Sequence, residues 1–235
     1  MMHVEWGVKV AKAGKHLLIE KPVGVDCAEV RTIVAACEAN GVLFMDGVMF
    51  MHHPRLAKVE QLCWDEPAGP PGTSFLGPVH RVTTGFSFRG DAPFFKSNIR
   101  ALAGGDPLGC VGDLGIYCVR IGLVAFGYRP PRAARCIKMR RNAGGVPIDA
   151  TFECYWDWKD NAAALGLGGG DDDDQRAAAE AGTGAPRDRS GGAAGEYLTV
   201  EPTLHVHCSF VHTFRQTVEI AGGDRRLLMD DFVVS

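Results

Sequence analysis

Hydrophobic positions in the first fifty residues change period in step with the polar ones. Val4, Val8 and Ala11 recur at helical spacing, and Gly14 closes that segment as a residue suited to a left-handed helix end. The next run, HLLIEKP from His16 to Pro22, is apolar until it stops on an acid, a base and a proline. It reads as a buried parallel strand that delivers Glu20 and Lys21 to its carboxyl end. Asp26 then caps a helix in which Glu29 can bond back, and Val30, Ile33, Val34 and Cys37 form one apolar stripe before Gly41. VLFMDG follows as a second apolar strand. Residues 3–47 therefore alternate helix, strand, helix, strand, the order that produces parallel pairing with right-handed crossovers. In an open α/β sheet ligands sit at the carboxyl ends of strands, which makes Lys21 a candidate site residue.

The pattern continues with a helix over HHPRLAKVEQLCWD, where Pro54 suits the first helical position and Leu56, Val59 and Cys63 follow at helical spacing. The proline- and glycine-rich DEPAGPPGTSFLGP is a connection. VHRVTTGFSFRG alternates as a strand opening a second sheet, and RGDAPFFKSNIR is a loop or short helix whose RGD carries no adhesion signal. GGDPLGCVGDLGIYCVR, Gly104 to Arg120, turns on glycines and then becomes helical. Asp113 and Tyr117 are four apart there, so a carboxylate and a phenol can share one helical face and one pocket. RAARCIKMRR and IDATFECYWDW are strand candidates. Residues 161–196 collapse into Ala, Gly, Asp and Arg, too little apolar surface to offset ordering entropy, so a disordered insert is expected. TLHVHCSFVH, HTFRQTVEIAG and RRLLMDDFVV alternate as three antiparallel strands.

HVEWGVKVAKAGKHLLIEKP, continued by ACEANGVLFMDGVMFMHHPR, resembles the second half of the nucleotide-binding domain of the Gfo/Idh/MocA oxidoreductase family, whose signature is E-K-P. GGDPLGCVGDLGIYCVR is similar to that family's glycine-rich turn followed by D-x-G-x-Y or D-x-G-x-H. Within the family the wording is nearest the group of dihydrodiol dehydrogenases, NADP-dependent xylose dehydrogenases, glucose-fructose oxidoreductases and related plant enzymes. The resemblance implies an α/β fold. An incomplete Rossmann-like parallel sheet, its second half only, occupies residues 1–50. An α+β domain for substrate and dimer contacts, with an open and mainly antiparallel sheet, occupies 51–235.

It also implies an NAD(P)-dependent dehydrogenase that moves a hydride between NADP or NAD and a hydroxyl or carbonyl carbon of a sugar, polyol or dihydrodiol-like compound. By resemblance Tyr117 is the general acid/base and Lys21 its partner, whose ammonium favours the phenolate. Asp113 orients the substrate hydroxyl, and Arg100 is a substrate or cofactor candidate. Glu20, Lys21 and Pro22 lie on the cofactor side, with a cis bond common before Pro22, and Pro107 stands where relatives have a small residue. No G-x-G-x-x-G strand-turn-helix occurs in the chain. The family's fingerprint would lie upstream of Met1 and more helix would follow the last strand, so a fragment is expected. The alternative is a non-catalytic relative acting as an interaction module. From the residues alone, Lys21 also reads as a solvated strand end, Tyr117 as a core tyrosine and Asp113 as a helix cap.

A net charge of −3 without a basic block argues against nucleic acid as partner. Eight cysteines inside apolar segments, with no CxxC pair, read as reduced buried thiols. The amino terminus is too polar for a signal peptide or a membrane span, and cytoplasmic location is the expectation. His205 and His207 alternate onto one strand face with His212 farther along, but Cys208 points the other way and no third ligand is evident, so no metal is expected. Asp171 to Asp174 lack the spacing of a calcium loop. A small-molecule substrate and, by resemblance, a homodimer through the second sheet complete the expectations.

Overall fold

The computed structural model describes residues 2–64, 74–157 and 201–233. The expected insert at 161–196 lies outside them, as does part of the connection after Trp64.

Helix α1 (His3–Lys12), strand β1 (Leu17–Ile19), helix α2 (Cys27–Ala39) and strand β2 (Phe44–Asp46) follow the predicted alternation. β1 and β2 pair in parallel, Leu17 opposite Phe44 and Ile19 opposite Asp46. The Asp26 carboxylate accepts from Glu29 N at 2.9 Å and the Glu29 carboxylate accepts from Val25 N at 2.9 Å, so reciprocal capping starts α2. Ala11, Leu17, Ile19, Ile33 and Cys37 make the core between these helices and the strand pair. β1 was expected to be buried throughout, and here the structure differs. Leu18 is 65% and Met45 46% exposed, because α1 and α2 both pack on the opposite face and the described residues place no helix against this one. The Lys21–Pro22 bond is cis, as the resemblance implied.

A 3₁₀ turn (Met49–His52) leads into α3 (Pro54–Trp64), whose Leu56, Val59 and Cys63 are buried as their spacing predicts. The second sheet has six strands in the order β4-β5-β6-β3-β7-β8. These are β3 (Arg81–Arg89), β4 (Ala133–Arg141), β5 (Pro147–Tyr155), β6 (Thr203–Ser209), β7 (Val211–Ala221) and β8 (Arg226–Asp230). The sheet is mainly antiparallel, but the last three strands do not form the expected antiparallel run. β3 lies between β6 and β7, parallel to the first and antiparallel to the second. The chain between β6 and β7 is the single residue Phe210, whose carbonyl accepts from Gly90 N at 2.8 Å as it crosses the end of β3.

One face of this sheet carries Val82, Phe86, Leu204, Val206, Cys208, Val218 and Ile220. It is covered by α5 (Ile116–Ala125), which buries Tyr117, Cys118, Ile121, Val124 and Ala125. Among the described residues nothing covers the other face, which is polar, with Thr83, Thr151, Glu153, His205, His207 and Glu219 half-buried. β4 is exposed along its whole length, and Arg135, Lys138, Arg140 and Arg141 blunt it as an edge. RGDAPFFKSNIR forms α4 (Ala92–Ser97), started by the Asp91 side chain, and a 3₁₀ turn (Ile99–Ala101). No helix among the described residues is long and apolar enough to cross a membrane.

Two glycines of the Gly104 to Arg120 stretch are required by backbone approach. A Cβ at Gly105 would lie 2.1 Å from the Ile99 carbonyl oxygen. One at Gly109, where φ is +52°, would lie 2.2 Å from the Pro147 carbonyl oxygen. Gly145 also has a positive φ, +81°, but open space around it. Gly109→Ala is expected to cost about 2–4 kcal/mol, overpacking added to left-handed strain, and Gly145→Ala about 1 kcal/mol. Urea unfolding of both variants measures the difference, and equal losses would show that the Pro147 contact is not what demands a glycine.

Candidate active site

Lys21 leaves the carboxyl end of β1 and reaches the second part of the chain. Its ammonium donates to the Asp113 carboxylate at 2.7 Å and to the Asp113 carbonyl oxygen at 2.8 Å, across 92 residues of sequence. Asp113 is in a π-helical turn (Val111–Gly115) that runs straight into α5. Such a turn shifts the helical hydrogen-bond ladder by one residue and re-aims side chains. The turn itself is seated by Gly105, Asp106 and Gly109 before it.

Arg100 arrives from the other side. The Asn98 side chain accepts from Arg100 N at 3.0 Å and starts the 3₁₀ turn, which aims the guanidinium so that Nε donates to the same Asp113 Oδ1 at 2.6 Å. The Lys21 and Asp113 side chains are 12% and 10% exposed, whereas Arg100 is 44% exposed. One carboxylate thus serves two cations, and the cluster keeps one uncompensated positive charge.

Tyr117 lies under Lys21. The ammonium is 4.8 Å from the centroid of its ring, within cation–π range, and Phe50 and Phe86 pack against that ring at 6.0 Å and 5.8 Å. The Tyr117 side chain is buried, and its hydroxyl donates to the Met49 sulfur at 3.5 Å. Of the residues singled out from sequence, Lys21, Arg100, Asp113 and Tyr117 come together. Lys21, Pro22, Arg100 and Asp113 line a cleft of about 180 Å³. Glu20 is exposed at the strand end beside Gly47, outside the lining of that cleft.

Three further residues were missed. His3 Nδ1 faces two carbonyls, of Pro22 at 3.0 Å and Val23 at 3.1 Å, so it carries the proton and leaves Nε2 as an acceptor at the cleft wall. Asp106 is in the same wall. Burial raises its pKa, and the Asp113 charge adds to that, against the opposing pull of the Leu108 and Gly109 N–H groups and of Lys21. Asp46, at the carboxyl end of β2, pairs with Arg120 of α5 and makes a second bridge beside the Lys21 one. Its place at a parallel strand end, equivalent to that of Lys21 after β1, was the available signal.

Residues 1–48 match the family described as "Oxidoreductase family, NAD-binding Rossmann fold", the Gfo/Idh/MocA group. Over those residues the chain is similar to the Gfo/Idh/MocA oxidoreductases. It is 33% identical over 129 residues to a D-xylose 1-dehydrogenase (NADP(+)) of Haloferax volcanii, covering 54% of this chain and 35% of that protein. It is 31% identical over 132 residues to the trans-1,2-dihydrobenzene-1,2-diol dehydrogenase of Bos taurus, covering 56% of this chain and 36% of that one. Among solved structures, aldose-aldose oxidoreductase from Caulobacter crescentus, complexed with glycerol, superposes with a TM-score of 0.66 at 20% identity. That likeness covers 99% of this chain and 54% of the other, and it establishes shared fold alone. The chain thus matches about a third of the length of these Gfo/Idh/MocA relatives in sequence and about half in fold.

The unequal burial of the two cations sets an order of effects. Asp113→Ala leaves Lys21 buried without its counter-charge and is expected to cost about 3 kcal/mol or more, while Arg100→Ala costs below about 1 kcal/mol. Urea denaturation checks this, and the reverse order would mean that Arg100 is the structural partner. Asp106 gives a pH signature. A carboxyl whose folded pKa is raised contributes stability that is fully present below its unfolded pKa and is lost as pH rises through the folded one. Asp106→Asn should therefore be more stable than the parent at pH 7, with the gain vanishing toward pH 4, as thermal melts across that range will read.

Proposed function

We propose that this sequence is the catalytic portion of an NAD(P)-dependent oxidoreductase acting on a hydroxyl or carbonyl carbon of a sugar, polyol or dihydrodiol-like substrate. The observation that carries this reading is the convergence of Lys21, Arg100 and Asp113 on one cleft at the carboxyl end of β1, directly over a buried tyrosine. The residues present fit the reacting end of such a cofactor. A cleft of about 180 Å³ with fixed N–H donors takes a small ring and a few hydroxyls, whereas whole-ligand pockets run to ~300–1,000 Å³. Lys21 and Pro22 would hold it, while Glu20 stands outside that cleft; when bound, the nicotinamide supplies or accepts the hydride.

The chain's own groups handle the proton and the orientation. Tyr117 is the proposed acid/base, and to act its hydroxyl exchanges the Met49 sulfur for the substrate oxygen, Met49 being 53% exposed and long enough to swing aside. The Lys21 ammonium over the ring stabilises negative charge as it develops on the phenol oxygen. Asp113, held by two cations in a fixed orientation, presents its remaining lone pairs to a substrate hydroxyl, and Arg100 can leave it for an anionic or carbonyl oxygen. The eight free thiols suit the reducing cytoplasm. The uncovered polar face of the six-stranded sheet is the surface through which a second copy would pair.

One observation favours the second reading, an interaction module. Leu18, Leu43 and Met45 are 65%, 70% and 46% exposed beside one another on β1 and β2, a face suited to docking rather than turnover. Turnover in a protein that carries the phosphate turn separates the two. The 235-residue chain, which has no G-x-G-x-x-G turn, should bind NADPH weakly or undetectably, and submicromolar affinity would overturn this account of the phosphate site. In a protein joining this sequence to such a turn, Tyr117→Phe and Lys21→Ala should each lower kcat by about 10²–10⁴ with the fold intact. Normal turnover in both variants would discredit the Tyr117 and Lys21 assignment, whereas no turnover in the unsubstituted joined protein would support the module.

A further inference from the structure

The polar face of the six-stranded sheet holds a second cluster, drawn from three strands and sharing no residue with the cleft. Asp149 projects from β5, His207 from β6 and His212 from the start of β7. Sequence alternation suggested pairing His205 with His207 and offered no third ligand. The structure pairs His205 with Glu153 at 2.9 Å instead, and brings His207 and His212 onto Asp149. Asp149 Oδ1 lies 3.1 Å from His207 Nε2 and 3.5 Å from His212 Nδ1, and the three donor atoms all fall within 4.8 Å of one another.

From these distances we propose that Asp149, His207 and His212 form a binding site for a first-row divalent cation of the zinc type. Donors placed ~2.0–2.1 Å from a tetrahedral ion are ~3.3–3.4 Å apart, so both separations to Asp149 are near those of a coordinated set before any ion draws them together. Two imidazoles and one carboxylate suit zinc, cobalt, nickel or copper rather than calcium or magnesium, which prefer all-oxygen shells.

The surroundings are arranged for one oxygen to bind. The Asp149 side chain is 3% exposed, and its other oxygen is held by the Lys138 ammonium at 3.2 Å, which fixes the carboxylate plane and leaves Oδ1 to the histidines. Ser209 Oγ is 2.8 Å from His212 Nδ1, a bond an incoming ion would replace. In a single copy His212 is 51% and His207 32% exposed, so an ion can enter and a fourth position is open to water before any second copy pairs through this face. A bound ion would tie β5, β6 and β7 at the corner where the chain crosses β3.

The test is calorimetric titration of zinc into the full chain carrying Cys27→Ser and Cys136→Ser, which removes the exposed thiols as competing ligands. One ion per chain is expected, with a rise in melting temperature. His207→Gln and His212→Gln should each weaken binding about tenfold or more, while His205→Gln stays within about twofold. Asp149→Asn should behave like the histidine variants, and these two exposed positions carry the test if the buried substitution does not fold. Cobalt should give a visible spectrum without a thiolate charge-transfer band. Unchanged zinc affinity in both histidine variants, loss of binding in His205→Gln, or no binding at millimolar zinc would each overturn the proposal.

Discussion

The Lys21 ammonium, with the Asp46–Arg120 pair beside it, ties the two parts of this molecule together. Lys21 comes from a strand only three residues long, in a layer whose own core is five buried side chains, and it ends on a carboxylate of the larger part. Both partners are nearly out of solvent, so the pair gains from low local dielectric but also pays desolvation at both ends, and it holds only because the geometry supplies further bonds. The Asp113 carbonyl provides one of those bonds and Arg100 another. Everything proposed for the cleft, from substrate orientation to the charge over Tyr117, requires that these groups stay in this arrangement.

The local features before α5 follow from that requirement. Gly105 and Gly109 let the chain pass against carbonyl oxygens where any side chain would collide, and Asp106 accepts from Leu108 N at 2.9 Å to close the turn between them. Pro107, noted as a departure from relatives, sits inside this turn and is accommodated by it. The π-helical turn then presents Asp113 by both its carboxylate and its carbonyl. Glycine richness in this stretch therefore serves close packing of backbone, and the phosphate-cradling role of a dinucleotide turn does not arise here.

Much of this was legible in the residues because periodicity and capping report directly on local structure. The α1 to β2 alternation, the Asp26 start of α2, the stripe of α3 and the strand character of the later runs all follow from side-chain spacing. What periodicity cannot report is which strands become neighbours. The insertion of β3 between β6 and β7 depends on long-range packing of Val82 and Phe86 against α5, and the one-residue crossing at Phe210 shows no signature. The bare face of β1 was unreadable for a related reason, since an apolar run looks the same whether one or both faces are covered. At the cleft, Lys21, Asp113 and Tyr117 could be named together because two motifs stood in one chain, and Arg100 from its place just before the glycines. His3 and Asp46 were missed because each owes its place to a partner elsewhere in the chain, and Asp106 because its burial, unlike its local cap on Leu108 N, has no sequence signature.

The central claim is that Lys21 and Asp113 are coupled and not merely close. A double-mutant cycle on Lys21→Met and Asp113→Asn, read by urea unfolding of the parent, both single variants and the double variant, measures that coupling alone. The account predicts an interaction energy of about 0.5–3 kcal/mol, the range for residues sharing one hydrogen-bonded network. Additive losses, with a coupling energy indistinguishable from zero, would contradict it.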